Sequence, residues 1–448
     1  NGCLTVNCEE GNGEVIASAG GKEAKITVNV SKKNGNESGN KDNEAPSIYR
    51  FSPDNTIYGD EALISVKIKD NYSGIDANSI KVKLDDSFVD ANFDEKTGTI
   101  SYKAKDLEEG SHTFEAEAQD KAGNKTVEPF QRIFFVSYEK DTEAPAVSFI
   151  SPLNGTSIKA GLPKISVNIR DTNSGVDSKD ISITLDGKSL TPFYDETSGW
   201  AYVIPDSTLP AGAHTVSVEA KDRKGNKSKQ YTSSFNVEPP ISPKDPDKFT
   251  LSVFSDTQGI DFASLFLKRT LEDESELVII NGDLIDYNEQ KIWEDELSGM
   301  FKVNPKPIMF SLGEYDLSKG NKENLMVEFG CTSPVYSFEY GNSLFISLNS
   351  AYENSIGLSD PTQFDYLKKM LERNNEPNVF IFTHTPIRDS FGFKNGIPED
   401  EAKNFENILA EYKKANKDKN INVISGHLHG INSYENEGVV YTVTGNGN

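Results

Sequence analysis

The chain has 448 residues, of which 26% are charged, and carries a net charge of −24. This length predicts about two to four domains, each able to bury a core. The acids are spread along the chain, which argues against duplex nucleic acid or an anionic membrane as the main partner. No apolar run approaches the roughly 20 residues of a spanning helix, and no basic-then-apolar leader stands at Asn1. Cys3 and Cys8 are close enough to pair in an oxidising compartment, and Cys331, left over, reads as a small packed side chain.

The first predicted element is a hairpin in GEVIASAGGKEAKITVNV, Gly13 to Val30. A hairpin alone is barely stable, so residues 1–31 are expected to be the end of a truncated module in a longer protein. Residues 32–44, rich in Gly, Asn and charge, form a flexible linker. Two long stretches then repeat each other. Ala45–Asp86 answers Ala144–Gly187, and EGSHTFEAEAQDKAGNKT from Glu109 answers AGAHTVSVEAKDRKGNKS from Ala211. The period, near 100 residues, suits tandem domains and exceeds solenoid repeats.

Apolar residues alternate inside each copy, at Ile64, Val66 and Ile68 and again at Ile165, Val167 and Ile169. Half-buried antiparallel strands, about seven per copy, make each a β-sandwich. The stretches DNYSGID, LDD and EGSHTFEAEAQDKAGN resemble bacterial immunoglobulin-like repeats of multidomain surface and secreted proteins. The resemblance implies immunoglobulin-like (Ig-like) domains over residues 45–138 and 139–237, and makes the opening hairpin the last part of another. Asp70, Ser73, Asp76, Asp120 and Asn124 recur as Asp171, Ser174, Asp177, Asp222 and Asn226. Oxygen-rich loops of this kind can hold Ca²⁺ between modules. The same residue types build tight turns, and turn chemistry is the preferred reading.

Residues 238–248, EPPISPKDPDK, carry four prolines and are expected to act as a stiff spacer holding the last domain away. From Phe249 the pattern changes. Short runs (FTLSVFS, LVII, PIMF, SLFISL, NVFIF, INVIS) alternate with helical stretches whose apolar faces carry Phe364, Leu367 and Leu371, then Phe405, Ile408, Leu409 and Tyr412. An α/β layered domain follows over 249–448, with ligands expected at the carboxyl ends of its strands.

Those ends read Asp256-Thr257-Gln258, Gly282-Asp283-Leu284-Ile285-Asp286, Gly313-Glu314-Tyr315-Asp316, Thr383-His384-Thr385 and Gly426-His427-Leu428-His429. Of five histidines, His112 and His214 hold matching positions in the repeats, and the other three all lie at these ends. Imidazoles spaced i, i+2, a third on another strand and carboxylates on two more suit borderline divalent ions. This order of motifs resembles the calcineurin-like metallophosphoesterases. The resemblance implies a four-layer β-sandwich flanked by helices and two metals about 3.5 Å apart, with a bridging hydroxide attacking a phosphate ester in line.

By position, the resemblance makes Asp283 the bridging ligand. Asp256, Gln258 and His429 hold one metal, and Glu314, His384 and His427 the other. Asp286 orients its turn, and Asp316 braces its neighbours. Gln258 stands where histidine is frequent, tilting preference toward Mn, Mg or Fe over Zn. Glu314 stands where the family has asparagine, leaving the ligated pair with one net positive charge where asparagine would leave two, and so a weaker Lewis acid. Tyr315 replaces a histidine near the leaving group, and a phenol of pKa about 10 is a poor proton donor at neutral pH. The expected catalytic residues are Asp283, Tyr315 and Asp316.

The resulting expectation is a secreted or cell-surface bacterial hydrolase acting on a phosphorylated small molecule, glycan or cell-wall polymer, with the Ig-like modules offering self-association or surface attachment. The rival reading is a structural or adhesive protein whose last domain binds metal but turns over weakly.

Overall fold

The computed structural model describes residues 11–19, 22–30 and 42–444, apart from 54–55, 71, 96, 285–298, 300–303, 305, 317–333 and 393–394. Cys3, Cys8, Cys331 and Asp286 lie outside the described residues. The chain divides into two compact units, residues 1–42 and 43–448. In the first, Gly11–Ala19 pairs antiparallel with Lys22–Val30, with Ala19 opposite Lys22.

The second unit begins with the two repeats, each a pair of packed sheets. In the first repeat, four strands (Ser47–Ser52, Ala62–Lys69, Asn92–Asp94, Thr99–Ala104) face five others that end at Ser137, and the second repeat follows the same plan. That makes nine strands per copy where about seven are predicted. The extra ones include short hairpin strands such as Ser87–Val89 and Asn92–Asp94. The alternating Ile64, Val66 and Ile68, and Ile165, Val167 and Ile169, fill the two cores as the period-2 pattern requires.

The intervening positions depart from expectation. Ser65, Lys67, Lys164 and Ser166 should face water, yet all are buried. The last domain lies against these sheets. Lys164 pairs with Asp360, the Tyr202 hydroxyl donates to Asp365, and Leu162 and Ile204 pack on the last domain's largest core. From the first repeat, Arg50 lies 4.8 Å over the Tyr352 ring and the Ile75 amide donates to Asp400 at 3.2 Å.

The proline-rich segment therefore does not act as a spacer. It is laid along the domain, with Ile241 in its inter-sheet core, the Lys244 amide donating to Glu276 at 2.8 Å, and the Pro246 carbonyl accepting from Asn342 at 3.0 Å. Prolines remove donors but leave every carbonyl free to accept.

In the last domain, Leu251–Phe254, Leu277–Asn281 and Ile308–Ser311 form a parallel three-stranded sheet. A six-stranded mixed sheet faces it, with a parallel centre of Ser343–Ser347, Asn378–Phe382, Asn420–Ser425 and Val439–Val443. Leu277, Ile279, Met309, Phe345 and Phe382 pack between the sheets. Helix Ile260–Glu272 covers the smaller sheet, and helices Gln363–Arg373 and Glu399–Ala415 cover the larger. The helix–sheet–sheet–helix order is the predicted four-layer arrangement. Parallel strands point their carboxyl ends the same way, so both sheets deliver their terminal loops to one edge.

Candidate metal centre

The strands leading to this edge are rich in apolar side chains, with Leu277–Asn281 and Ile308–Ser311 buried throughout, and the chemistry begins where they stop. Asp256, Gln258, Asp283, His427 and His429 have φ of +56°, +41°, +53°, +68° and +49°. This left-handed region is disfavoured for residues with a Cβ. Close packing holds the turns there. A Cβ on Gly313 would lie 2.0 Å from Asp283 Oδ1, and one on Gly426 would lie 2.6 Å from Asp256 Oδ2.

Asp256, Asp283, Asp316 and His384 are completely buried. His384 Nε2 lies 3.1 Å from both Asp283 Oδ2 and Glu314 Oε2, and 3.7 Å from Asp256 Oδ1. His427 Nδ1 lies 2.8 Å from Glu314 Oε1. Ligand atoms of Asp256, Asp283 and His384 lie within 4.8 Å of one another, as do those of Glu314, His384 and His427. His384 is common to both groups, so the two clusters abut. His429 stands nearer the mouth, 3.7 Å from Asp256 Oδ1, with its side chain 39% exposed. The Gln258 amide reaches toward Asp283 Oδ2 at 3.5 Å.

Polar atoms left without partners test whether cations fit. His384 Nε2, His427 Nε2, Glu314 Oε2 and Asp316 Oδ1 are buried and make no hydrogen bond. Native interiors rarely leave so many polar atoms unsatisfied at one place. His384 Nδ1 sits 2.8 Å from the Asn281 carbonyl oxygen, to which it donates. That bond fixes the ring so that Nε2 can present its lone pair to the carboxylates. Nitrogen and oxygen donors mixed in this way fit borderline dications.

Burial raises the Asp256 carboxyl above its usual range. Burial also raises Asp316, and the Asp283 charge adds to it, to about 8. Burial acts the same way on Glu314, but the His384 and His427 side chains outweigh it and hold that carboxyl below the usual range. Burial would lower the His384 pKa, yet the Asp283 and Asp256 charges raise it well above the ordinary imidazole value. A proton and a cation compete for that Nε2 lone pair.

Asp316 Oδ2 accepts from the Gly313 amide at 2.8 Å and the Asp283 amide at 2.9 Å, tying two strand ends together. The Tyr315 amide donates to Asp283 Oδ1 at 3.0 Å. Two further participants emerge from the structure. Ser255 donates to Asp256 Oδ2 at 2.5 Å, and Asn281 orients His384 through its carbonyl. Both sit directly beside the acidic motifs, and that adjacency was the available signal. The first repeat's His112 and the second's His214 are far from this chemistry, each held between a carboxylate and a backbone carbonyl.

A family model described as calcineurin-like phosphoesterase matches residues 249–430. Models of a bacterial Ig-like domain and a bacterial Ig domain match 58–137 and 145–218. No curated protein matches the chain in sequence. Similar solved structures include purple acid phosphatase PPD1 from yellow lupin (Lupinus luteus) seeds, at 14% identity over 90% of this chain and 86% of that one, with a TM-score of 0.34. A dimetal phosphatase from Danio rerio is 14% identical over 44% of this chain and 87% of its own, with a TM-score of 0.34. Fibronectin(III)-like modules of Clostridium thermocellum CbhA are 16% identical over 43% of this chain and 94% of theirs, with a TM-score of 0.18. Residues 249–430 are accordingly a calcineurin-like metallophosphoesterase domain, of the phosphoric ester hydrolase class, preceded by two bacterial Ig-like domains.

Proposed function

We propose that the chain hydrolyses a phosphomonoester or phosphodiester outside the cytoplasm, with Ig-like domains at 45–138 and 139–237 presenting the catalytic domain at 249–448. The observation carrying this reading is the convergence of Asp256, Asp283, Glu314, His384 and His427 around buried atoms that lack hydrogen-bond partners. The family resemblance would make Asp283 the ligand shared by two ions; it groups with Asp256 and His384, and His384 is the residue common to both groups of donors. Asp256, with Gln258 and His429 near it, would hold one divalent ion, and Glu314, His384 and His427 the other. When bound, two such ions polarise the phosphoryl oxygens and lower the pKa of a water. Asp316 keeps the Asp283 and Gly313 turns in register through its two amide contacts. Tyr315 would stand near the leaving group as a weak proton donor, which favours esters with good leaving groups.

Among the described residues, no helix is long and apolar enough to cross a membrane. Bacterial Ig-like modules suit a secreted or surface location, with phosphorylated small molecules, glycans or cell-wall polymers as substrates. Supplying Mn²⁺ and an activated phosphodiester tests the reading: turnover should be measurable in the wild type and abolished in Asp283→Asn. Metal binding without turnover in either protein favours the second reading, a structural or adhesive module. The close Glu314–His427 pair supports that alternative, because it lowers the net charge facing a substrate.

A further inference from the structure

We propose that Asp141, Asp171 and Asp222 form a site for a hard divalent cation of the Ca²⁺ class at the joint between the two Ig-like domains. The three residues come from separate places: the connecting segment, the loop after strand Ile165–Arg170, and the end of strand Gly212–Asp222. One carboxylate oxygen of each lies within 4.8 Å of those of the other two. Two oxygens bound to one Ca²⁺ at about 2.4 Å cannot be more than about 4.8 Å apart, so the spacing is that of a shared ion.

Turn chemistry explains part of the cluster. Asp171 Oδ1 accepts from the amides of Asn173, Ser174 and Gly175 at 3.1, 2.7 and 2.9 Å. Asp222 Oδ1 accepts from those of Lys224 and Asn226 at 2.9 and 2.8 Å, and its Oδ2 from the Asn226 side chain at 2.7 Å. Neither turn requires a third acid. Asp141 is nevertheless brought in from the connector and is only 3% exposed, and its Oδ2 is buried with no hydrogen-bond partner. Ser174 Oγ, on the Asp171 loop, is likewise buried without one.

Among the described residues no Lys or Arg forms an ion pair with any of the three acids. Three converging carboxylates, two of them buried, thus lack a counter-charge, an arrangement that is costly unless a cation supplies it. All-oxygen donors suit a hard ion, in contrast to the mixed set at the phosphoesterase centre. The sequence places the same acids in the preceding repeat, where KDNEAP, IKDNYSG and QDKAGN carry Asp42, Asp70 and Asp120 in the places of Asp141, Asp171 and Asp222.

The ion's effect would be on the joint. The Asn226 side chain already donates to the Asp141 carbonyl at 3.2 Å, and the Tyr58 amide to the Asn173 carbonyl at 3.4 Å. Closing a cation over Asp141 locks the connector to the second domain and sets the angle between the two.

Lys140, exposed in the connector, supplies the readout. Lysine-specific proteolysis of the full chain at the Lys140–Asp141 bond is followed in chelator, Ca²⁺ or Mg²⁺. For dissociation constants of about 10⁻⁴ to 10⁻³ M, roughly 10 mM Ca²⁺ should slow cleavage about 10- to 100-fold. Mg²⁺ should do much less, and Asp141→Asn, which keeps the acceptor for the Glu143 amide, should abolish the effect. Equal cleavage with and without Ca²⁺, or Ca²⁺ protection that persists undiminished in both Asp141→Asn and Ser174→Ala/Asp141→Asn, would overturn the site.

Discussion

Replacing Lys164 with methionine probes the seam between the second Ig-like domain and the phosphoesterase domain. Lys164 is 1% exposed and its partner Asp360 is 6% exposed. Burial pushes the Lys164 pKa down while the Asp360 charge pulls against it. Truncating one member of a buried pair costs roughly 3–5 kcal/mol, mostly because the other charge is left stranded. Asp360 Oδ1 keeps its bonds to the Thr362 amide and hydroxyl at 2.9 and 2.7 Å, which places the cost near the lower end, about 3 kcal/mol. That is roughly two decades in the equilibrium holding the domains together. Lys164→Met/Asp360→Asn, with no charge to strand, should recover most of it, giving a coupling energy of about 2 kcal/mol in the double-mutant cycle. Urea unfolding of the full chain measures all four corners. A Lys164→Met chain as stable as the wild type within about 0.5 kcal/mol would refute the claim that this seam is electrostatically closed.

The two repeat histidines give a pH signature. His112 Nδ1 is 2.5 Å from Asp85 and Nε2 is 2.7 Å from the Glu108 carbonyl, and His214 repeats the pattern with Asp186 and the Pro210 carbonyl at 2.7 and 2.8 Å. Only an imidazolium donates at both nitrogens. Burial opposes that proton, but the carbonyl and carboxylate outweigh it and raise both pKa values above 6.5. Their contribution is therefore complete below 6.5 and is lost as pH rises through the folded values. Thermal melts at about pH 6 and about pH 9 should show this slope, and His112→Asn/His214→Asn should flatten it. Gly313→Ala should weaken Mn²⁺ binding more than tenfold by calorimetry, since its Cβ would meet Asp283 Oδ1 at 2.0 Å. Glu314→Asn should raise turnover of an activated diester by about tenfold while loosening metal, because it restores one positive charge at the centre. Steady-state kinetics across Mn²⁺ concentrations separates those two effects.

Alternating Ile, Val and turn residues were enough to specify both sandwiches, and alternating strands and helices enough for the layered domain. The seam between them was not readable in this way. Lys164 occupies the polar phase of its alternating stretch and pairs with Asp360 across the seam, and a polar residue facing a partner domain looks identical in sequence to one facing water. The proline-rich segment misled for a related reason, since stiffness says nothing about which surface a segment lies against. At the candidate metal centre, the donor types announce themselves because successive strand ends carry Asp or His, several of them beside Gly. Asn281 and Ser255 act through one carbonyl and one hydroxyl, and nothing in their residue type distinguishes that from ordinary turn bonding. Asp141 lies in a connector outside the recurring turn motifs, and nothing in its residue type sets it apart from the other acids spread along the chain.

The left-handed backbone at five positions of the centre has a consequence for how this domain tolerates change. At about 1 kcal/mol or more each, these residues withhold roughly 5 kcal/mol, the scale of a small domain's entire net stability. The same five hold the acids, amide and imidazoles. A library of variants screened only for heat tolerance would be drawn first to these codons and would settle on glycine there, becoming hardier as it emptied the pocket of its chemistry.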